Sequence, residues 1–458
     1  MARTSIHGEW SSRWAFFLAA TGSAVGLGNI WKFPYITGQN GGGAFVLVYL
    51  ACIAIIGIPI MMAEIMLGRR GRKSPINTMY DLAVESGHNP HWKWLGWLGV
   101  LAGFLILSYY SVIAGWALAY ILRTATGTFT GATADGVENL FLANFLAHPE
   151  TLLFWHTLFM AMTMIVVARG VKSGLESAVK FLMPALFLLL LMMVGYAMSQ
   201  GEAFTRGLEF MFKPNFAALT WGGVLTAMGQ AFFTLSLGMG AIMVYGSYLS
   251  HTASIARTSV AIALADTSVA LLAGIAIFPI IFANNMEPAA GPGLIFISLP
   301  LAFGHMPGGV LFGSLFFVLL SFAAWTSSIS LLEPAVTWLI ETFNMRRVTA
   351  TLYAGIFTWL LGVVTVMSFN DWAFEFEFAG VLKQNGIFDI LDILTTNIML
   401  PLGGLFIAIF AAWFMSRDAS RDELSMGDSV RYNLWRFLVK FVTPAAILLV
   451  FLNMLGVI

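Results

Sequence analysis

Charge is scarce in this chain. Of its 458 residues only 10% are charged and 59% are hydrophobic, whereas a soluble globular domain carries about 25% charged residues. That excludes an ordinary soluble enzyme. A mean hydropathy of +0.83 over such a length requires apolar surface facing lipid along most of the helices. Basic and acidic residues balance at 23 each, so no cationic excess draws nucleic acid. The single cysteine, Cys52, can form no internal disulfide. No short apolar leader with a small-residue cleavage site follows the polar start, so the first hydrophobic segment is expected to stay as a membrane helix. Metal-ligating side chains are also few: His-Glu-x-x-His does not occur, and of seven histidines only His156 sits well inside an apolar segment. An intramembrane enzyme therefore ranks low.

Long apolar runs are abundant. A membrane helix needs about 20 mainly apolar residues, and on that measure eleven spans are predicted: roughly 12–37, 42–68, 94–123, 152–168, 176–199, 216–248, 256–284, 309–340, 347–368, 387–415 and 433–457. With the N-terminus inside, Arg123, Arg206, Lys213 and Lys383 fall outside, Lys32 lies within a span, and the other 18 basic residues lie toward the inside. The bias of positive residues to inner loops supports both count and orientation. The expected location is the cell (inner) membrane, with a cytoplasmic N-terminus and the C-terminus on the opposite side. Residues 284–307 form the most substantial outer connection, with room for a short helix; the remaining connections read as too short to fold alone.

Two spans carry the same interruption. The first contains Gly26-Leu27-Gly28 and the sixth Gly238-Met239-Gly240, 212 positions apart, with five spans beginning at each. An odd number of spans per unit inverts the second copy, the plan of many secondary transporters. This divides the chain into a first five-helix repeat (12–199), an inverted second repeat (216–415) and an eleventh helix (433–457). Each glycine weakens a helix by about 1 kcal/mol relative to Ala. Backbone groups freed at that depth must line a cavity or meet an ion, because lipid cannot satisfy them. Close packing through Gly22-x-x-x-Gly26 is the alternative for one motif alone; the matched pair favours broken helices. Unwound carbonyls suit a cation and half-helix N-termini suit an anion, so the combination fits a zwitterion such as an amino acid.

The run Gly26-Leu27-Gly28-Asn29-Ile30-Trp31-Lys32-Phe33-Pro34-Tyr35, followed by Asn40-Gly41-Gly42-Gly43-Ala44-Phe45, resembles the first two helices of the neurotransmitter:sodium symporters. Phe232 through Gly240 and Thr326-Ser327-Ser328 extend the likeness, and the eleven-span length resembles the bacterial branch that carries hydrophobic amino acids. The resemblance implies an all-α polytopic fold of 5+5 inverted repeats with helices 1 and 6 broken. It also implies two sodium sites. The first would use the carbonyls of Ala24 and Thr234, the Thr234 hydroxyl and the side chains of Asn29 and Asp266, completed by the substrate carboxylate. The second would use the carbonyls of Gly22, Val25 and Ala323 with the hydroxyls of Thr326 and Ser327. Both are all-oxygen sets, as a hard cation prefers. Read alone, Thr326 and Ser327 could equally bond back to the preceding helical turn.

By the same likeness Ala24, Gly26, Gly28, Ile106, Tyr110, Phe233, Thr234, Ser236, Met239, Ser327 and Leu331 would contact the substrate, with the Tyr110 hydroxyl reaching its carboxylate. Monoamine carriers of the family place an aspartate where Gly26 stands, so an amino acid is expected. Asp266 departs from the usual amide, and Ala270 lacks the hydroxyl that chloride-dependent relatives use; a fixed carboxylate predicts chloride-independent transport. Lys32 and Asp392 would form the outer gate, with Gln230 bridging them, and Glu64 would support the unwound backbone. Gly174 and Pro184 bracket nine residues of the fifth span, which implies either a proline kink or an inner end able to unwind. Glu333, beside Pro334, is assigned only to kinking or internal hydrogen bonding. The expected function is sodium-coupled symport of aliphatic and aromatic amino acids; a proton-coupled permease on the same plan is the nearest alternative.

Overall fold

The computed structural model describes residues 5–286, 293–378 and 381–454. Eight uninterrupted helices among them are long and apolar enough to cross a bilayer, including Gly43–Gly71, Pro90–Ala125, Gly309–Phe343 and Gly386–Phe414. The first span is divided into Arg13–Ala24 and a run from Gly28 to Gln39, the sixth into Trp221–Thr234 and Ala241–Ser247. The eleventh is helical from Val430 to Met454. All eleven spans expected from the sequence are present, and the two interrupted ones break at the glycine pairs.

Local chemistry sets the ends. Ser12, Thr220, Ser254 and Ser429 each accept a backbone N–H in the first turn of the first, sixth, seventh and eleventh spans, which satisfies one of the donors a helix start leaves free. Arg72 and Asn344, both with positive φ, end the second and eighth spans.

The connections hold more structure than their lengths suggest. Leu294–His305 is the short helix anticipated in the outer connection. Pro75–Glu85, Ala134–Phe141, Glu202–Phe212 and Arg417–Leu424 are also helical, in connections read from the sequence as too short to fold alone. They fold because they pack: Gly207 lies so close to Pro279 that an added Cβ would sit 2.7 Å from its ring. The one departure from an all-helical chain among the described residues is a two-stranded hairpin, Phe376–Phe378 against Val381–Lys383.

The broken helices occupy the centre. Every residue from Ala19 to Ile30 is buried, as is every residue from Thr234 to Leu249. The eighth span packs against both of them and lengthwise against the third. Large apolar side chains on the outside remain exposed, among them Phe181, Leu188 and Leu191 on the fifth span and Leu352, Ile356 and Phe357 on the ninth. Such surface is stable only against hydrocarbon.

Close backbone approaches hold the centre together. A Cβ on Gly68 would fall 1.9 Å from the Met243 carbonyl oxygen, because the second span and the second half of the sixth touch there. Gly68→Ala is expected to cost about 1–3 kcal/mol or more through overpacking and to lower the thermal midpoint of the detergent-purified protein, followed by tryptophan fluorescence. Gly195→Ala, where an added Cβ meets nothing within 4 Å, should leave the midpoint unchanged or raise it.

Candidate functional site

The interruption of the first span is visible in its hydrogen bonds. The Gly26 N–H donates to Asn29 Oδ1 at 3.0 Å and the Leu27 N–H to the Tyr110 hydroxyl at 3.1 Å, so neither reaches the carbonyl four residues back. In the sixth span the Gly238 N–H donates to Glu64 Oε1 at 2.5 Å. Ser236, Gly238 and Gly240 all have positive φ. The Ser236 hydroxyl donates to the Ser23 carbonyl at 2.8 Å, tying one break to the other. Side chains from spans two, three and six thus replace helical partners that the glycines removed.

On one side of the first break, carbonyl oxygens gather around two hydroxyls. Ser327 Oγ lies 3.1 Å from the carbonyls of Ser23 and Val25 and 3.4 Å from that of Gly22. Thr326 Oγ1 lies 3.0 Å from the Ala323 carbonyl and 3.2 Å from that of Phe322. Three hydroxyl protons are shared among these five carbonyl oxygens, because Ser236 also donates to Ser23, and the Thr326 proton goes back to the preceding turn of its own helix. An acceptor surplus of this kind in a buried place favours a hard cation. All five predicted groups of the second sodium set fall in this cluster.

On the other side stands Asp266, fully buried. Asn29 Nδ2 donates to its Oδ1 at 2.8 Å, and the Thr234 hydroxyl donates to its Oδ2 at 3.0 Å. No cationic side chain touches it among the described residues. A buried carboxylate held only by neutral donors requires a proton or a bound cation. Asn29 turns its oxygen toward the Gly26 amide, so a ligand role needs that oxygen to turn to the ion. Among the described residues no group of three or more His, Cys, Asp or Glu could hold a metal.

Between the two clusters lies a cleft of about 20 Å³ lined by Ser23, Ala24, Gly26, Gly28, Ile106, Tyr110, Phe233, Ser236, Met239, Ser327 and Leu331. Ten of these were expected. Thr234 is not among them, because its side chain is turned to Asp266, and Ser23 takes a place in the lining. Space at Gly26 is tightly bounded: a Cβ there would lie 2.5 Å from Ser327 Oγ and 2.6 Å from the Tyr110 oxygen. The cleft has room for about one water molecule, so its walls must part to admit an amino acid.

Above the cleft, Lys32 Nζ stands 3.8 Å from Asp392 and 4.5 Å from the centre of the Phe233 ring. The Thr396 hydroxyl donates to the same carboxylate at 2.8 Å. Gln230 does not bridge this pair. Its amide nitrogen donates to the Gly28 carbonyl at 2.7 Å, because a buried amide beside a loosened helical turn finds its acceptor in the backbone.

At the opposite end, closure involves residues that sequence reasoning missed or left unassigned. Trp10 donates from its backbone to the Tyr248 carbonyl at 3.1 Å and from its indole to the Tyr245 carbonyl at 3.0 Å. His7 Nε2 is 3.0 Å from Glu341 Oε1, and the same carboxylate accepts from the Ser74 N–H at 2.8 Å, the Ser74 hydroxyl at 2.6 Å and Asn77 at 2.7 Å. Glu333 is paired with Arg347 and accepts from the Tyr248 hydroxyl at 2.8 Å. A buried acid beside a proline was the only signal for Glu333. Nothing local marked His7 and Glu341, which are 334 positions apart. Gly174 lies in a widened turn from Val171 to Glu176, and the fifth span continues through Pro184 without a break. His156 is a structural core residue, 3.2 Å from the Trp359 carbonyl.

A helical membrane protein with two aligned helix breaks, a closed cleft between them and polar closures above and below is a secondary transporter of the inverted-repeat class. The chain belongs to the sodium:neurotransmitter symporter family, whose pattern it matches over residues 7–139 and 142–457. It is similar to the uncharacterized sodium-dependent transporter YhdH of Bacillus subtilis, 38% identical over 98% of each chain. An uncharacterized sodium-dependent transporter of Haemophilus influenzae is 36% identical over 97% of each. Among solved structures it resembles the crystal structure of MhsT in complex with L-phenylalanine, with 44% identity, a TM-score of 0.90, and coverage of 98% of this chain and 99% of that one. The protein is therefore a sodium-dependent membrane transporter and not an enzyme.

The Glu341 cluster yields a test of the closure opposite the Lys32–Asp392 pair. Glu341→Ala leaves Ser74, Asn77 and His7 without their shared acceptor, at an expected cost of about 1–3 kcal/mol. Thermal unfolding in detergent should show the loss, and Glu341→Gln, which keeps one acceptor oxygen, should recover part of it.

Proposed function

We propose that this transporter imports hydrophobic L-amino acids, aliphatic and aromatic, by sodium-coupled symport with two sodium ions and without chloride. The observation that carries the reading is the cleft itself: Ile106, Phe233, Met239 and Leu331 offer apolar walls, while Gly26, Tyr110 and Ser327 mark a polar end with no acidic side chain to meet an amine. The bound L-phenylalanine of the MhsT structure supports the same substrate class.

In this reading the substrate carboxylate lies beside the break of the first span. The Tyr110 hydroxyl accepts from Leu27 and has its own proton to donate to that carboxylate. One sodium joins the Ala24 and Thr234 carbonyls, the Thr234 hydroxyl, Asn29, Asp266 and the carboxylate. The other joins Gly22, Val25, Ala323, Thr326 and Ser327. Coupling follows because the first sodium and the carboxylate complete each other's coordination, so neither is well held alone. The acceptor surplus around Thr326 and Ser327 favours sodium over a proton as the coupling ion.

The two repeats, 12–199 and 216–415, would rock about this centre, with 433–457 outside the symmetric unit. Lys32 and Asp392 close over Phe233 on the outer side. Opening inward would involve the inner half of the first helix and the segment between Gly174 and Pro184, where proline removes the N–H that would bond the Lys180 carbonyl. The N-terminus would be cytoplasmic and the C-terminus extracellular or periplasmic, in agreement with the distribution of basic residues.

Uptake of labelled leucine, phenylalanine and tryptophan into proteoliposomes should require an inward sodium gradient. Equal uptake with potassium replacing sodium would sink the proposal.

The Asp266 carboxylate supplies a second test. Replacing chloride by gluconate should leave wild-type uptake unchanged, because the negative charge beside the first sodium is already part of the protein. Asp266→Asn should raise the sodium concentration for half-maximal uptake about tenfold, the equivalent of ~1.4 kcal/mol. A variant with unaltered sodium dependence would remove Asp266 from the site.

A further inference from the structure

The end of the bundle opposite the Lys32–Asp392 pair carries a cavity of about 660 Å³ that the transport site does not use. It lies between the start of the seventh span and the start of the eleventh, and its lining includes Thr252, Ser254, Arg257, Ser425, Ser429 and Arg431. None of the lining residues is acidic. Of the neighbouring acids, Glu423 is paired with Arg69 at 2.5 Å, Asp428 with Arg417 at 3.0 Å and Arg421 at 3.6 Å, and Asp422 is exposed and outside the lining. Arg257 and Arg431 form no ion pair among the described residues. Two cationic side chains thus face one cavity without counter-charge, and two long helices, beginning at Ile255 and Val430, open toward it with their positive dipole ends.

What rises from the cavity is apolar. Arg257 shares an exposed face of the seventh span with Val260 and Leu264, which are 40% and 63% exposed, at helical spacing. On the eleventh span Val430, Leu434, Phe437 and Phe441 form an exposed stripe that starts at the cavity mouth. A cationic hollow at the foot of two lipid-facing apolar stripes matches one kind of molecule in both parts, an anionic phosphate with acyl chains attached. A free phosphate would use only the hollow.

We propose that this cavity is a binding site for the headgroup of an anionic glycerophospholipid, with Arg257 and Arg431 holding the phosphate and the stripes of the seventh and eleventh spans holding the chains. The site borders the transport machinery. Arg69 fixes the loop behind it through the Ala253 carbonyl at 2.6 Å and also binds the Glu423 backbone, and that loop leads from the broken sixth span into the seventh. A bound lipid would therefore clamp the eleventh span to the inner end of the sixth.

The test uses the full chain, purified and delipidated in detergent, with dioleoyl-phosphatidylglycerol or dioleoyl-phosphatidylcholine added back and bound lipid counted by native mass spectrometry. Wild type should retain phosphatidylglycerol in preference to phosphatidylcholine and gain thermal stability from it. Each arginine removed should weaken retention about fivefold, and the double variant Arg257→Gln with Arg431→Gln about twenty-five-fold, whereas Arg257→Lys with Arg431→Lys should keep most of it. Should the double glutamine variant fail to fold, the single variant Arg431→Gln carries the same prediction at fivefold. Equal retention by wild type and the glutamine variants overturns the site. Displacement of phosphatidylglycerol by millimolar glycerol 3-phosphate overturns the lipid in favour of a soluble phosphate.

Discussion

Polar backbone buried in a membrane must find partners inside the protein, and the whole centre of this molecule is arranged around backbone groups that two helices have given up. Gly26 and Leu27 in the first span and Gly238 in the sixth point their N–H groups away from the helical ladder. Each orphaned donor would cost about 1–3 kcal/mol if left unpaired. Asn29, Tyr110 and Glu64 are placed to receive them, and the Ser23 carbonyl is taken up by Ser236 and Ser327. The third span, the second span and the eighth are drawn against the breaks for that reason. The surplus is equally important, since carbonyls with more lone pairs than donors give a cation its place.

Closure at the two ends of the cleft is achieved differently. One end relies on a loose pair, Lys32 and Asp392 at 3.8 Å, half-buried and shared with a phenyl ring. A lysine makes a point contact rather than the planar fork of an arginine, so little has to be broken when the pair separates. The opposite end is denser. Glu341 collects four donors and Glu333 combines an arginine with a tyrosine hydroxyl. The segment before the first span, the Pro75–Glu85 helix, the end of the sixth span and spans eight and nine all contribute, so that end resists opening until several elements move together.

Much of this was legible in the residues. Spans of sufficient apolar length and the paired Gly-x-Gly interruptions are local or periodic signals, and each was found where the pattern placed it; Lys32, Glu64, Asp266 and Asp392 stood out only as charges inside spans. Gln230 was misread because a side-chain amide has several acceptors within reach, and only the path of the loosened turn at Gly28 selects one. Thr234 was assigned to the cleft for a similar reason: its position on the helix was evident, but the direction of its hydroxyl depends on where the seventh span puts Asp266. The short helices outside the membrane were missed because their stability comes from contacts with the spans rather than from their own length.

By itself the sequence determined that the chain is a membrane protein, how many times it crosses, and where two crossings are interrupted. Those properties rest on transfer free energies and backbone freedom, which are set by residue type and spacing. Only the tertiary structure decided which groups meet. His7 with Glu341, Arg347 with Glu333, and Arg257 with Arg431 at one cavity are pairings across distant parts of the chain. Each depends on how helices cross in three dimensions, and a carboxylate or guanidinium carries no local mark of the partner that packing will bring to it.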